Sequence, residues 1–420
     1  MLEVLAQPSL HHGLVFMLHL NCRLELRPFG IDVINVVPRA ITSNIGINHK
    51  RMPEWKLYKP FEELIKERTN FMKTLKSIPG EVFAKDTVAM VMKNNPPAWF
   101  SAGPYSTFMA IIVIVPETEN LFSGGSSSAF MFCYAKPFSL HLNGASRSKT
   151  SCANHWLLSG GIGHALALEF ASKGCHVVAT SRSKKTMKDL ENNPRFFLHE
   201  LDVVSDESVK NCVENVIEKF GRIDVLVNNA GVHCLGPLAE LPLSAMEKTF
   251  NTNIYGPMRM VQAVVPHMAA RKKGKIANVG SVSTTLPAPW AGIYAASKCA
   301  IHSLTDTLRL ELSHFGIDVI NIVPGVITSN IGNSAISNYD QMPELKLYKP
   351  FEEAIKERPN LWETSKTTPT EVFAKDTVAA VMKKNPPAWF SSGRCISIMA
   401  ILYHMPIFVK DFIARKAKKC

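Results

Sequence analysis

The chain has 420 residues, 46% of them hydrophobic, enough for a sizeable core and for two ordinary domains. Its net charge of +12 raises nucleic acid or a membrane surface as partners. No basic stripe interleaved with aromatics and no zinc-ligand spacing accompanies that charge, so nucleic acid and a resident metal are excluded on this reading.

Taken in order, the opening "HHGLVFMLHLNC" is too short and lacks the basic start of a signal peptide. Next comes a repeat. Arg23–Gly46, "RLELRPFGIDVINVVPRAITSNIG", matches Arg309–Gly332 at 19 of 24 positions, and Met52–Pro116 matches Met342–Pro406 at 43 of 65. Two copies far apart in the chain do not make a solenoid. The first copy holds one strand-like run, "GIDVINVV", with no sheet of its own to join. Residues 1–116 therefore read as a truncated duplicate of the C-terminal part rather than as an independent domain. It also carries Arg39 where the second copy has Gly325, losing the residue that permits close backbone approach. Residues 117–158, rich in Ser and Gly through position 150, read as a linker or non-homologous segment.

Beyond it the pattern alternates. "CHVVATS", "FFLHELDV", "IDVLVNNAG", "GKIANVGS" and "IDVINIVPG" are short apolar runs, each leading toward a stretch of helical periodicity. Such alternation predicts an α/β domain over 159–395, a doubly wound parallel sheet with helices on both faces. Ligands in such sheets sit at the carboxyl ends of the strands. The nine cysteines occur singly, with no CxxC, which fits a reducing compartment.

Tyr294 and Lys298 in "YAASK" are one helical turn apart and share a face. A neighbouring ammonium favours the phenolate and should bring the phenol nearer the working pH. Ser281 closes a predicted strand 13 residues earlier, where its hydroxyl and the phenol could grip one carbonyl oxygen from two sides. Asn253 in "NTNIYG" and the turn Asn228-Asn229-Ala230-Gly231 belong to the same framework. Each has a bland alternative: Ser281 as a helix cap, Asn253 serving helix carbonyls, "NNAG" as a tight turn.

Together with the "GIG" helix start, "LDV" at Leu201–Val203, "N-x-x-G" at Asn253–Gly256 and "VPGVITS" at Val323–Ser329, these motifs resemble the classical short-chain dehydrogenase/reductase family from residue 160 to about 405. "GGIGHALALEF", "VVATSRS" and "PELKLYKPFEEAIKER" resemble, less specifically, the NADPH-dependent 1-acyldihydroxyacetone-phosphate reductase group within it. The resemblance implies a Rossmann-like fold and a carbonyl reductase with Tyr294 as general acid. Lys298 would lower the pKa of Tyr294 and hold the nicotinamide ribose, Ser281 would orient the carbonyl, and Asn253 would hold a relay water. It implies cofactor contacts from Gly161, Ile162, Gly163, Ser181, Arg182, Asp202, Val203, Asn229, Ala230, Gly231, Tyr294, Lys298, Pro324, Gly325, Ile327 and Ser329.

Arg182 stands 19 residues past Gly163, where an NAD-preferring enzyme keeps an acid, and Lys184 and Lys185 follow. That cationic turn predicts NADPH. The family loop is T-G-x-x-x-G-I-G, and here His155 and Trp156 occupy the Thr and first Gly positions. Residues 145–155, "ASRSKTSCANH", carry no strand signal, so the first strand is expected to be missing or non-native and NADPH binding to be impaired.

Residues 333–370 lie where a substrate lid belongs. Lys346, Lys349, Lys356 and Arg358 there are candidate phosphate partners, although they alternate with Glu344, Glu352, Glu353 and Glu357 as on a solvated helix face. His164, His176, His199, His233, His267, His302 and His314 read as packing or surface residues. Residues 396–420 are apolar to Val409, broken by Pro406, and end in basic residues. An interfacial helix or one docked on the core fits equally. The closing "AKKC" is not a prenylation box. The expected substrate is a small lipid-like carbonyl compound. The location is the cytoplasmic face, at the endoplasmic reticulum or a lipid-droplet surface through residues 397–420. A steroid or retinoid alcohol dehydrogenase and a catalytically silent membrane-surface or interaction protein are the alternatives.

Overall fold

The computed structural model of the chain describes residues 13–38, 59–62, 77–93, 99–102, 151–155, 161–359, 367–405 and 407–416. Helices α1 (Gly13–Leu26) and α2 (Gly80–Val91) and strands β1 (Asn35–Pro38) and β2 (Trp99–Ala102) come from the first copy. Seven further strands follow: β3 (Ser151–His155), β4 (His176–Ser181), β5 (Phe196–Glu200), β6 (Val225–Asn228), β7 (Gly274–Val279), β8 (Ile317–Pro324) and β9 (Trp389–Ser392). They form one sheet in the order β5-β4-β3-β6-β7-β8-β9, with every pairing parallel.

The two-residue period of the strands builds two cores. Val177, Val225, Val227, Ala277 and Ile320 point to one face, under α3 (Ile162–Ser172) and α10 (Thr370–Val381). Val178, Leu226, Ile276 and Val319 point to the other. There α4 (Asp206–Phe220), α6 (Gly256–Ala270) and α7 (Gly292–Ser313) cover them. Between these lie α5 (Leu243–Phe250), α8 (Ile331–Tyr339) and α9 (Glu352–Glu357). Helix α4 shows how local sequence sets the boundaries. The Ser205 hydroxyl accepts from the Ser208 amide, Asp206 and Glu207 lie at the positive end of the dipole, and Gly221 closes the helix at φ 72°.

Three expectations are corrected. The first strand is present: Ser151–His155 pairs with β4 on one side and β6 on the other. Its residues have little β-propensity, but the slot between two strands offers ladder partners on both sides. Each buried backbone group left unpaired there would cost about 1–3 kcal/mol. The strand lies within the segment 117–158, read as a linker or non-homologous segment. The strand of the first copy is not isolated either: β1 pairs with β2, Asn35 opposite Trp99, as Asn321 of β8 stands opposite Trp389 of β9. Third, the C-terminal segment is two helices, α11 (Ile396–His404) and α12 (Ile407–Lys416). Met399, Lys410, Asp411 and Ala414 are buried, while Ile398, Ile401 and Phe412 are exposed. Among the described residues, no helix is long and apolar enough to cross a membrane.

The two copies differ in what covers them. In α10, Phe373, Ala374, Val378 and Val381 are buried in the core that α3 shares. The matching helix α2 buries nothing, and Val82, Val88 and Val91 are exposed. Instead α1 anchors the first copy, with Met17 and Leu20 packed among Ala295, Ala296 and Cys299 of α7. Arg39 lies outside the described residues. Its counterpart Gly325 is required by the chain itself, since a Cβ there would stand 2.3 Å from the Arg394 carbonyl oxygen.

Candidate active site

The chain winds outward from β3 through β4 to β5, then returns to the far side of β3 as β6. This reversal opens a crevice at the carboxyl ends of β3 and β6. Nearly all the sequence-predicted residues leave strand ends on that side. Gly161, Ile162 and Gly163 follow β3, Ser181 and Arg182 close β4, and Asp202 and Val203 follow β5. Asn229, Ala230 and Gly231 follow β6, Ser281 follows β7, and Pro324, Gly325, Ile327 and Ser329 close or follow β8.

Helix α7 carries Tyr294 and Lys298 over these ends. A buried polar chain fixes its position: Asn228 donates to Asn278 Oδ1 at 2.8 Å, and Asn278 donates to Thr305 Oγ1 at 2.9 Å, tying β6, β7 and α7 together. Each donor in it is satisfied, so the tie rigidifies rather than penalises the core. Lys298 is 4% exposed, and its Nζ donates to the Val279 carbonyl at 2.9 Å. Burial lowers its pKa to about 8. The Tyr294 phenol shares a hydrogen bond with Ser281.

Here the electrostatic expectation is corrected. Burial raises the Tyr294 pKa above its ordinary value, and the Ser281 bond only partly offsets this. The Lys298 Nζ lies 5.8 Å from the ring centroid, and the dominant influence on the phenol is desolvation of its charged form. At neutral pH the group is therefore a protonated acid.

Ser281 has two duties. Its hydroxyl accepts from the Ser283 amide at 3.1 Å, capping a short turn, as the bland alternative expected, and it also meets Tyr294. Asn253 sits in a π-helical turn, Asn251–Tyr255, between α5 and α6, and is 1% exposed. Its amide is committed: Oδ1 accepts from Val232 N at 2.8 Å, and Nδ2 donates to Val232 O at 3.0 Å and Ser297 Oγ at 2.9 Å. A relay water at this residue would have to bind the main chain.

Two histidines read as packing belong to the site. His302 accepts from the Ser281 amide at 3.2 Å through Nε2. Burial, with Lys298 nearby, lowers its pKa to about 3, so it stays neutral. Gly280 makes room for it, since a Cβ there would fall 1.9 Å from Nε2. The signal was in the sequence: 294, 298 and 302 continue one i, i+4 face. His233 stacks on the Tyr294 ring, centroids 4.4 Å apart and planes 20° apart. Burial and then Arg358 lower its pKa to about 4.

Toward a dinucleotide the described residues fit. Gly161 adopts φ +115°, a conformation side chains rarely take, as the backbone turns into α3, whose N-terminus attracts phosphate. Arg182 is exposed at the end of β4. The nearby Glu200 carboxylate accepts from the Lys184 amide at 3.0 Å. Trp156 and Gly160 lie outside the described residues. Among the candidate phosphate partners, Lys349 pairs with Glu344 and Glu352, and Lys356 with Asp340 and Glu352, as a solvated face would. Arg358 instead donates through Nε to the Pro289 carbonyl at 3.1 Å, close enough to His233 to depress its pKa. Among the described residues, no group of three or more His, Cys, Asp or Glu could hold a metal.

Known proteins resemble the chain in sequence and in fold. A family model described as "short chain dehydrogenase" matches residues 158–340. Short-chain dehydrogenase RED1 of Pyricularia oryzae is 33% identical over 237 residues, 56% of this chain and 82% of that protein. The NADPH-dependent 1-acyldihydroxyacetone phosphate reductase of Schizosaccharomyces pombe is 36% identical over 205 residues, 48% of this chain and 68% of that protein. Among solved structures, a short-chain dehydrogenase from Streptomyces avermitilis matches the fold at TM-score 0.52 and 24% identity, over 61% of this chain and 92% of that one.

Proposed function

The chain belongs to the short-chain dehydrogenase family, and from that premise we propose an NADPH-dependent reductase of a lipid-like carbonyl compound, 1-acyldihydroxyacetone phosphate or a close analogue. The observation that carries this reading is the Tyr294 phenol hydrogen-bonded to Ser281 beside the crevice, with the buried Lys298 ammonium 5.8 Å from its ring and held by the Val279 carbonyl. NADPH, when bound, supplies hydride to the carbonyl carbon. Tyr294, kept protonated by burial, gives its proton to the carbonyl oxygen as charge develops there. The Ser281 hydroxyl holds the same oxygen from its other side. The phenolate left behind is stabilised by the Lys298 ammonium and reprotonated through water at the Asn253 main chain. His302 acts through Ser281, fixing its backbone.

The preference for NADPH rests on Arg182, with Lys184 and Lys185 beyond it, suited to a 2′-phosphate. Weak binding was expected from a missing strand and from Trp156. The strand is there, and titration with NADPH tests what Trp156 does; micromolar binding supports the reading and none sinks it. Arg358, a cation beside His233, favours a phosphorylated substrate over a steroid. Turnover of 1-acyldihydroxyacetone phosphate should exceed that of its dephosphorylated form; equal turnover would remove the phosphate from the proposal.

The same reading puts the protein on the cytoplasmic face of the endoplasmic reticulum or on a lipid droplet. The exposed Ile398, Ile401 and Phe412 support this. Lys410 is buried against the Tyr403 carbonyl and Asp411 pairs with Arg23, so apolar side chains would carry the contact. Flotation with anionic vesicles should be lost in the Ile398→Glu/Ile401→Glu variant; unchanged flotation would refute the role of this surface.

A further inference from the structure

The two matching copies touch each other, and they do so reciprocally. By the sequence match, Phe29 corresponds to Phe315 and Phe61 to Phe351. Phe29 meets Phe351 edge-on, with centroids 6.3 Å apart and planes at 78°. Phe61 meets Phe315 edge-on at 5.9 Å and 77°. These are one contact with the copies exchanged, which is the signature of a two-fold relation: residue i touches j, and j touches i.

The helices agree. Glu25, near the end of α1, accepts from the amides of Leu238 at 2.7 Å and Trp290 at 2.9 Å, ahead of α7. Asn21 accepts from Ala288 N at 2.7 Å, while Met17 and Leu20 reach further along, to Ala295, Ala296 and Cys299. The start of α1 thus lies against residues 295–299 of α7 and its end against residues ahead of α7, so the helices are antiparallel. The end of α1 is itself the counterpart of the end of α7, and Glu25 corresponds to Glu311, which is exposed.

We infer that the described residues 13–38 and 59–61 act as a built-in, truncated second subunit, occupying about a pseudo-two-fold axis the face of α7 through which two copies of the C-terminal unit would otherwise associate. Met17 and Leu20 stand where a second copy would bring the more polar Ser303 and Asp306. The intramolecular contact also needs no encounter between chains. Counterparts of the seat at Ala288–Cys299 would fall at or before residue 13, where the sequences no longer match. The first copy therefore fills a seat without offering one, and association stops within the chain. The intact protein is a monomer whose self-association face is closed.

Sedimentation velocity of the full chain across its accessible concentrations tests this. Wild type should sediment as a monomer, Leu20→Asp/Glu25→Arg should release α1 and shift the chain to a dimer, and adding Glu311→Arg should restore the monomer. Glu311→Arg alone should change nothing. A dimeric wild type, a folded double variant that stays monomeric, or a dimer indifferent to Glu311→Arg overturns the inference. Should the double variant unfold, Glu25→Gln keeps the shape and weakens the hold on the Leu238 and Trp290 amides. A rise in its dimer fraction over wild type supports the inference, and no rise overturns it.

Discussion

Replacing Gly280 by Ala should damage the enzyme more than one methyl group suggests. The new Cβ would fall 1.9 Å from His302 Nε2 and 3.1 Å from Asn321 Oδ1, so the imidazole has to move. Overpacking of this kind costs about 1–3 kcal/mol. Moving the ring also strips the Ser281 amide of its acceptor, and a buried amide left unpaired costs about 1–3 kcal/mol more. The two terms share one residue and are not additive, so a loss of about 2–4 kcal/mol is expected in chemical denaturation. Ser281 is displaced against Tyr294, and a misplacement of about 1 Å in a catalytic group costs about 100-fold in kcat. Steady-state kinetics and urea unfolding read both effects. Adding His302→Ala should relieve the clash and recover only the overpacking part of the lost stability, and no activity, because the Ser281 amide still lacks its acceptor. Full kcat and an unchanged unfolding midpoint in Gly280→Ala would refute this reasoning.

Cofactor selectivity should follow Arg182. Arg182→Asp should weaken NADPH by about 10-fold or more relative to NADH, the worth of one charge-assisted contact, and unchanged selectivity would count against the assignment. The pH profile should follow Lys298. Its pKa of about 8 means an ammonium below that pH and a neutral amine above it, while Tyr294, with its pKa raised, keeps its proton across the range. kcat/KM for NADPH, which reports free-enzyme groups, should fall above pH 8, approaching about tenfold per unit. His302 and His233, with pKa values of about 3 and 4, are neutral throughout and should add no acid limb between about pH 5 and 7. A profile flat to about pH 9, or a limb near the ordinary histidine value, would contradict these states.

Much of the architecture was legible because it rests on local pattern. "HVVATS" and "IDVINIVP" are strands by composition, and the structure ends them where the runs end. "SCANH" was not legible, since two neighbouring strands rather than its own residues make it a strand. Tyr294, Lys298 and Ser281 could be grouped from spacing along one helix and one strand end. His302 continues the same i, i+4 face, but a lone histidine with no ligand spacing carries no signal that separates it from the other scattered histidines. His233 needed the fold, because only the approach of the β6 loop to α7 brings its ring onto Tyr294. The direction of the Tyr294 shift was missed for a related reason: sequence shows neighbouring charges, whereas burial is a property of the whole fold. The seating of α1 on α7 lay equally beyond reach, resting on contacts between residues more than 260 positions apart.

The central claim is that Tyr294 delivers a proton to a carbonyl oxygen while Lys298 and Ser281 hold the geometry. The direct measurement is loss of reduced nicotinamide absorbance on adding a carbonyl substrate, for wild type and Tyr294→Phe at matched NADPH saturation. Wild type should turn over and Tyr294→Phe should fall by about 100- to 10,000-fold, with NADPH affinity changed little. Equal turnover in the two proteins would contradict the claim.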